Sequence, residues 1–373
     1  LYFVTVRADF GTTLNTGGVE TFSRRQFVNG HGTFKPDLDV VPQKLLDYLT
    51  TDLQVSFSRS SRGPFKGTSF PPTTSVSQVR TDGRKNLSIK DDYRLRFVSE
   101  QRVLTDDPYT IPEITQNEQT ESRAITYAGY FFKYFFNDEF VPPRFYECFN
   151  EPMGKAQDLK KKGESQAEFI ERISKLCTKL CREVQKHVPE IRTGGPANEF
   201  VRPSFKDFDM FKNRMKIWMD TSARGGCQRF VSEHVYNIGG SYAEANLDLI
   251  ETYTSWLNDG GMPDKYLVSE MGQYVASWYN RNRGFAARPL SSRNFSIISE
   301  ALKVLMMLMR VPNNVLQVIA FINLETQEQR DIKNGRPYPW SLIDEKEDGS
   351  VELTELVKYF ELLKGFDGNF VYS

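Results

Sequence analysis

Short apolar runs alternate with long amphipathic stretches along this chain. Runs too short for helices begin near Phe27, Gln54, Arg94, Phe145, Glu190, Phe230, Tyr266 and Leu316, and they predict buried strands. Between them, Glu118 to Phe136 places Ile125, Ala128, Phe132 and Phe135 on one helical face. Ser165 to His187 does the same with Phe169, Ile173, Leu176, Leu180 and Val184. Tyr242 to Asn258 and Ser296 to Met309 repeat the helical period. Strand-then-helix repetition implies parallel crossovers. About eight such units predict an α/β fold, a (β/α)8 TIM barrel with long loops on the active face. An open doubly wound sheet is the alternative. It needs a phosphate-binding glycine turn after an early strand, and the sequence has none.

Two segments fit the pattern less well. Arg59 to Thr115 is rich in Ser, Thr, Arg, Gly and Pro and holds one vague strand, so it is assigned to active-face loops around strands two and three. Residues 1–364 are assigned to the barrel. After the helical pattern Leu353 to Leu363, Gly365 to Tyr372 predicts a turn entering a strand. Residues 365–373 are therefore expected to be a tail, the first strand of a β-sandwich domain outside this chain.

Charge removes one class of function. Lys+Arg and Asp+Glu are both 48, whereas a nucleic-acid partner calls for a basic surface. No membrane span is expected either, because the apolar stretch Ala301 to Met309 is short and sits beside charges. The chain begins at Leu1 rather than Met, so the lack of a visible leader says little about location. Among 28 Phe, 17 Tyr and 4 Trp, most Phe are expected in the core, while Trp and Tyr rings suit sugar faces. Cys148, Cys177, Cys181 and Cys227 are all expected to be free thiols, mostly buried. Without a Cys-x-x-Cys or paired-His motif, no metal site is expected.

The candidate chemistry lies at strand ends. Phe145 to Phe149 is an apolar run followed by Asn150-Glu151-Pro152. Pro152 cannot donate to a sheet ladder, so the strand is expected to stop there, leaving Glu151 at its carboxyl end. Tyr266 to Val268 leads likewise into Ser269-Glu270-Met271-Gly272. Either motif alone is weak, and a surface glutamate is the ordinary alternative. Together, as the ends of strands four and seven, they predict paired carboxylates, the minimal equipment for cleaving a glycosidic bond. Between them, His234 and Tyr236 are two apart and share one side of strand six, from which they can reach Glu270. His31 follows the first strand and can line the same site, whereas His187 reads as a helix-end residue. Gly-x-Ser-x-Gly is absent. Asp344 to Glu355 imitates a calcium loop, but Lys346 occupies a ligand position and Pro337 and Pro339 remove the entering helix. An Asp-Gly turn before a helix is expected there. Gly63 to Thr68 lacks the Gly-Lys-Ser/Thr ending of a phosphate loop.

Asn-Glu-Pro, His-x-Tyr and Ser-Glu-x-Gly, in that order, resemble the retaining (β/α)8 glycoside hydrolase clan. With Phe22 to Gly32, Phe57-Ser58-Arg59, Arg144 to Pro152 and Thr193 to Ala197, the chain most resembles glycoside hydrolase family 86, the β-agarases and β-porphyranases. The resemblance implies endo cleavage of β-1,4 bonds in red-algal galactans, without a cofactor, by a secreted or cell-envelope enzyme. Its partner is a polysaccharide or oligosaccharide substrate, and a monomer is expected. Glu151 becomes the acid/base, with a raised pKa, and Glu270 the nucleophile, held ionised by donors such as Tyr236. A retaining pair implies carboxyl groups roughly 5–5.5 Å apart. Asn150, His31, Arg59, His234, Tyr236, Trp278 and Trp340 are the expected substrate-binding residues, the two tryptophans as stacking platforms. Core packing is the ordinary alternative for both. Arg59, Arg62, Arg84 and Arg283 are candidates for binding a sulfate. A xylan- or β-glucan-cleaving enzyme of the same clan, or a barrel that binds glycans without cleaving them, are the alternatives.

Overall fold

The computed structural model of the chain describes residues 15, 18–32, 41–66, 68–85, 102–136, 141–198, 211–237, 242–258, 265–273, 290–324, 339–345 and 348–370. Eight strands close a barrel in chain order: β1 Asn29–His31, β2 Ser56–Ser60, β3 Val103–Thr105, β4 Phe145–Glu147, β5 Arg192–Asn198, β6 Val231–Asn237, β7 Tyr266–Gln273 and β8 Val315–Asn323. Every neighbouring pair is parallel, including β8 with β1. The expected (β/α)8 barrel is present.

Strands covered on both faces read as continuous apolar runs, which is why the sequence exposed them. Inside the barrel, Val103, Phe145, Phe230, Leu267 and Ile319 form an apolar plug. Outside it, two larger clusters join strands to helices. The helix Gln166–His187 buries Phe169, Ile173, Leu176, Leu180 and Val184. Its N-terminus is closed by a capping box, in which the Ser165 side chain accepts from the Glu168 N–H and the Glu168 side chain accepts from the Ser165 N–H.

Several boundaries differ from expectation. Phe27 ends a helical turn, Arg24–Phe27, and β1 starts at Asn29. The strand candidate near Arg94 lies outside the described residues, and the third strand is Val103–Thr105. The Arg59 to Thr115 stretch is not all loop. It holds the end of β2, a helix Val76–Lys85, β3 and a short helix Ile111–Ile114. β4 stops at Glu147, short of Pro152, and β7 runs past Glu270 to Gln273. The helix expected from Ser296 starts at Leu290. Ile343–Glu345 and Val351–Leu353 pair as an antiparallel hairpin, so the Asp348-Gly349 turn joins two strands rather than leading straight into a helix. Phe370 N–H donates to the Glu20 carbonyl (2.7 Å), and Asn369 bridges Thr21, laying this end of the chain against the start of the barrel.

The cysteine expectation is corrected. Cys181 and Cys227 form a disulfide, with Cα atoms 6.2 Å apart. Cys181 lies on a helix and Cys227 in the turn before β6, neighbours that sequence spacing alone does not reveal. Cys148 and Cys177 are free and buried as expected.

Candidate active site

The mouth of the barrel is built by two breaks in strand alternation. On β7, Leu267 faces the interior plug and Val268 the outer core. Strict period two would send Glu270 outward with Val268. Instead Glu233 pairs with Val268 and His234 with Glu270, so Ser269 is an extra residue. Such a bulge re-aims the side chains that follow it, and Glu270 turns inward. β2 repeats the device. Gly30 pairs with Phe57 and His31 with Arg59, skipping Ser58. Phe57 packs in the outer core while Arg59 enters the barrel.

Arg59 is fully buried and is the hub of the site. Its Nε donates to Glu147 Oε2 (2.9 Å), Nη1 to Glu270 Oε1 (2.5 Å) and Nη2 to Asn150 Oδ1 (2.7 Å). Nη1 also lies 3.0 Å from His31 Nε2. His31 Nδ1 faces two acceptors, the Gly32 carbonyl (2.6 Å) and Asn323 Oδ1 (3.0 Å), so it carries a proton, and Nε2 also lies 3.5 Å from Glu270 Oε1. The Tyr236 hydroxyl donates to Glu270 Oε2. His234 Nδ1 lies 2.7 Å from Glu151 Oε1 and 3.3 Å from Glu270 Oε2, bridging the two carboxylates.

Glu151 reaches this cluster from the loop after β4. Its backbone is held at φ +50°, and its N–H donates to the carbonyl of Ala197, which also sits at φ +50°. Non-glycine residues there are strained and persist only where the surroundings hold them. Single ligand atoms of Glu151, His234 and Glu270 all lie within 4.8 Å of one another. Two carboxylates and an imidazole could together hold a cation. Arg59 and Lys155 already place positive charge on those carboxylates, at 2.5 Å and 3.3 Å, which suits acid–base chemistry better.

The two glutamates are held unequally. Burial alone pushes Glu270 up, but His234, Arg59 and His31 reverse this and hold its carboxyl well below the usual range. Glu151 is also pushed up by burial. The hydrogen bond and field of His234 outweigh that, Glu270 opposes them, and Lys155 adds to the lowering. The expectation of a raised Glu151 is therefore corrected, because His234 and Lys155 hold it low. Its strand-end position gave no sign that His234 Nδ1 would point at it.

His31, Arg59 and His234 are buried beneath or between the glutamates. Arg59 is committed to Glu147, Glu270 and Asn150, which places it under the site as a support rather than as a sugar or sulfate contact. Asn150 gives Oδ1 to Arg59, leaving its amide N–H groups to donate elsewhere. Trp340 is half-buried, 5.2 Å from Phe321. Phe321 in turn stands edge-on to His31 (5.0 Å) and Tyr236 (6.0 Å), so an aromatic wall flanks the glutamates. Trp278 and Arg283 lie outside the described residues. Arg62 follows β2, and Arg84 is exposed on the helix Val76–Lys85, neither among the contacts of Glu151 or Glu270 given above. Sequence reasoning missed Glu147, Lys155, Phe321 and Asn323. A charged residue in the otherwise apolar run before Asn150 was the available signal for Glu147.

Asp106, just past β3, braces the site from behind. Its carbonyl accepts from Asn150 N–H (2.9 Å), Oδ1 accepts from Phe65 N–H (2.8 Å), and Oδ2 accepts from the Tyr146 hydroxyl (2.7 Å). Gly63 makes this possible, since a Cβ there would come within 2.5 Å of the Asp106 carboxyl. Burial pushes Asp106 up to about 7 despite the two donors. A carboxyl raised on folding contributes stability that is full below its unfolded value near 4 and is lost as pH rises through about 7. The loss is on the order of 4 kcal/mol. Denaturant unfolding of wild type and Asp106→Asn between pH 5 and 8.5 is expected to give stabilities that diverge in favour of Asn as pH rises. Parallel curves would contradict this.

No protein-family model matches the chain. In sequence it is 26% identical to a beta-agarase of Pseudoalteromonas atlantica over 242 residues, covering 61% of this chain and 46% of the agarase. The chain thus spans about half the length of that relative. The structure of BuGH86 in complex with neoagarooctaose superposes with a TM-score of 0.81 at 18% identity, covering 98% of this chain and 64% of that one. BpGH86A, a beta-porphyranase of glycoside hydrolase family 86 from the human gut bacterium Bacteroides plebeius, gives 0.68 at 20% identity, over 98% and 61%. At these identities the structural likeness establishes the (β/α)8 fold. The resemblance to glycoside hydrolase family 86 read from the sequence thus stands on two findings, a related beta-agarase sequence and a barrel shared with family 86 structures.

Proposed function

We propose that this chain is the catalytic barrel of a family 86 glycoside hydrolase. In this reading it cleaves β-1,4 bonds within red-algal galactans, agarose or porphyran, with retention and without a cofactor. The observation that carries the proposal is the close approach of Glu151 and Glu270 at the barrel mouth, bridged by His234. A retaining pair needs about 5–5.5 Å between carboxyl groups, and an inverting pair about 6.5–9.5 Å to admit a water. One oxygen of each glutamate lies within 4.8 Å of one of the other's, a close approach in keeping with the first.

Glu270 attacks the anomeric carbon while Glu151 gives its proton to the leaving oxygen, producing a covalent glycosyl–enzyme. Glu151 then takes a proton from water, which displaces Glu270. Arg59 and Tyr236 keep Glu270 ionised and aimed. Asn150, fixed by Arg59 and by the Asp106 carbonyl, is placed to hydrogen-bond the sugar hydroxyl beside the cleaved bond. Trp340, half-buried and backed by the buried Phe321, offers apolar surface for a ring. The intact two-carboxylate network disfavours a barrel that only binds glycans. Secretion or cell-envelope display fits a polymer substrate, and the Cys181–Cys227 disulfide fits an oxidising compartment. No described helix is long and apolar enough to cross a membrane.

A panel of agarose, porphyran, carrageenan, xylan and β-glucan, read by product sizing, tests the substrate. Agarose or porphyran is expected to fall rapidly to short oligosaccharides. Preferred cleavage of xylan or β-glucan would replace this reading with that of another clan member.

A further inference from the structure

Each oxygen of Glu151 has its own donor. His234 Nδ1 holds Oε1 from a buried ring on β6, at 2.7 Å. Lys155 Nζ holds Oε2 at 3.3 Å, from a side chain that is 25% exposed. Lys155 lies four residues after Glu151, at the head of the short helix Ala156–Leu159. The Glu151 backbone is fixed independently, through Ala197, whose own N–H donates to Ser232 Oγ at 2.7 Å. The ammonium therefore acts on the carboxylate and not on the fold of its loop. The other charged or titratable groups around this carboxylate are His234 from β6, Glu270 from β7 and Arg59 from β2.

If Glu151 is the acid, a leaving oxygen must reach one of its two oxygens. Oε1 is committed to a buried imidazole. Oε2 is paired with a partly exposed, flexible side chain instead. We propose that Lys155 is a positioning residue that occupies the proton-transfer oxygen of Glu151 in the free enzyme and is displaced by substrate. The ion pair keeps Glu151 ionised until a sugar arrives. Displacement of the ammonium and exclusion of water then favour the protonated acid that the first step requires. The proposal rests on the acid/base reading of Glu151.

The test is the pH dependence of kcat/KM and kcat on neoagarooctaose for wild type, Lys155→Met, Lys155→Gln and Lys155→Arg. The first parameter reports the free enzyme and the second the complex. Both neutral variants are expected to move the alkaline limb of kcat/KM up by about half a pH unit, the size a partly exposed ion pair supports. Lys155→Arg should return it, and the kcat limb should stay in place throughout. An unmoved kcat/KM limb in both neutral variants, or equal movement of both limbs, would overturn the proposal. Glu151→Gln on the same substrate separates the two readings. If it retains activity, the acid assignment itself fails. If it is inactive while the limb stays put, only the role of Lys155 fails.

Discussion

Replacement of Glu270 by alanine is expected to lower kcat/KM on agarose or porphyran by at least about 10⁴-fold, because in the proposed mechanism it is the group that forms the covalent intermediate. The neighbours argue for this role. A nucleophile must be ionised at working pH, and Glu270 is the carboxylate that receives both Arg59 and Tyr236. Added azide should restore turnover of an activated glycoside in this variant, with the product inverted at the anomeric carbon. Arg59 keeps Glu147 as a partner, so the barrel should still fold. Thermal unfolding alongside the assay separates lost chemistry from lost structure.

Glu151→Ala is expected to behave differently. Loss of a general acid costs roughly 10²–10⁴-fold on a poor leaving group. An activated aryl glycoside needs little protonation, so its first step should survive and the covalent intermediate should accumulate. Azide should then release a product of retained configuration. An exchange of the two azide outcomes would exchange the roles of the two residues.

The sequence carried the repeat of strands and helices because parallel strands covered on both faces are apolar throughout. It carried Glu151, Glu270, His234 and Tyr236 because they fall at or near the ends of apolar runs. It did not carry the two bulges. Under strict alternation Arg59 shares a face with Phe57, and Glu270 with Val268. Only the extra residues Ser58 and Ser269 bring both into the mouth. Arg59 was therefore legible as a charged residue after a strand and not as the hub beneath the glutamates. The lowered Glu151 was hidden for the same kind of reason, since the direction of His234 Nδ1 is a tertiary fact. The short strands β1, β3 and β4, three residues each, are held by their neighbours more than by their own pattern. Boundaries were displaced there, while the helix Tyr242–Asn258, with its own period, was placed correctly. The Cys181–Cys227 pair joins residues 46 apart, and no local spacing announces it.

The most direct test of the central claim is the configuration of the first product. Hydrolysis of agarose or neoagarooctaose by the wild-type protein, followed by proton NMR from the earliest minutes, reports the new reducing end before it equilibrates. Two carboxylates this close, acting by double displacement on a β-1,4 bond, predict that the β-anomer appears first and the α-anomer only later by mutarotation. An α-anomer formed first would mean single displacement by water, and would contradict the assignment of Glu270 as nucleophile.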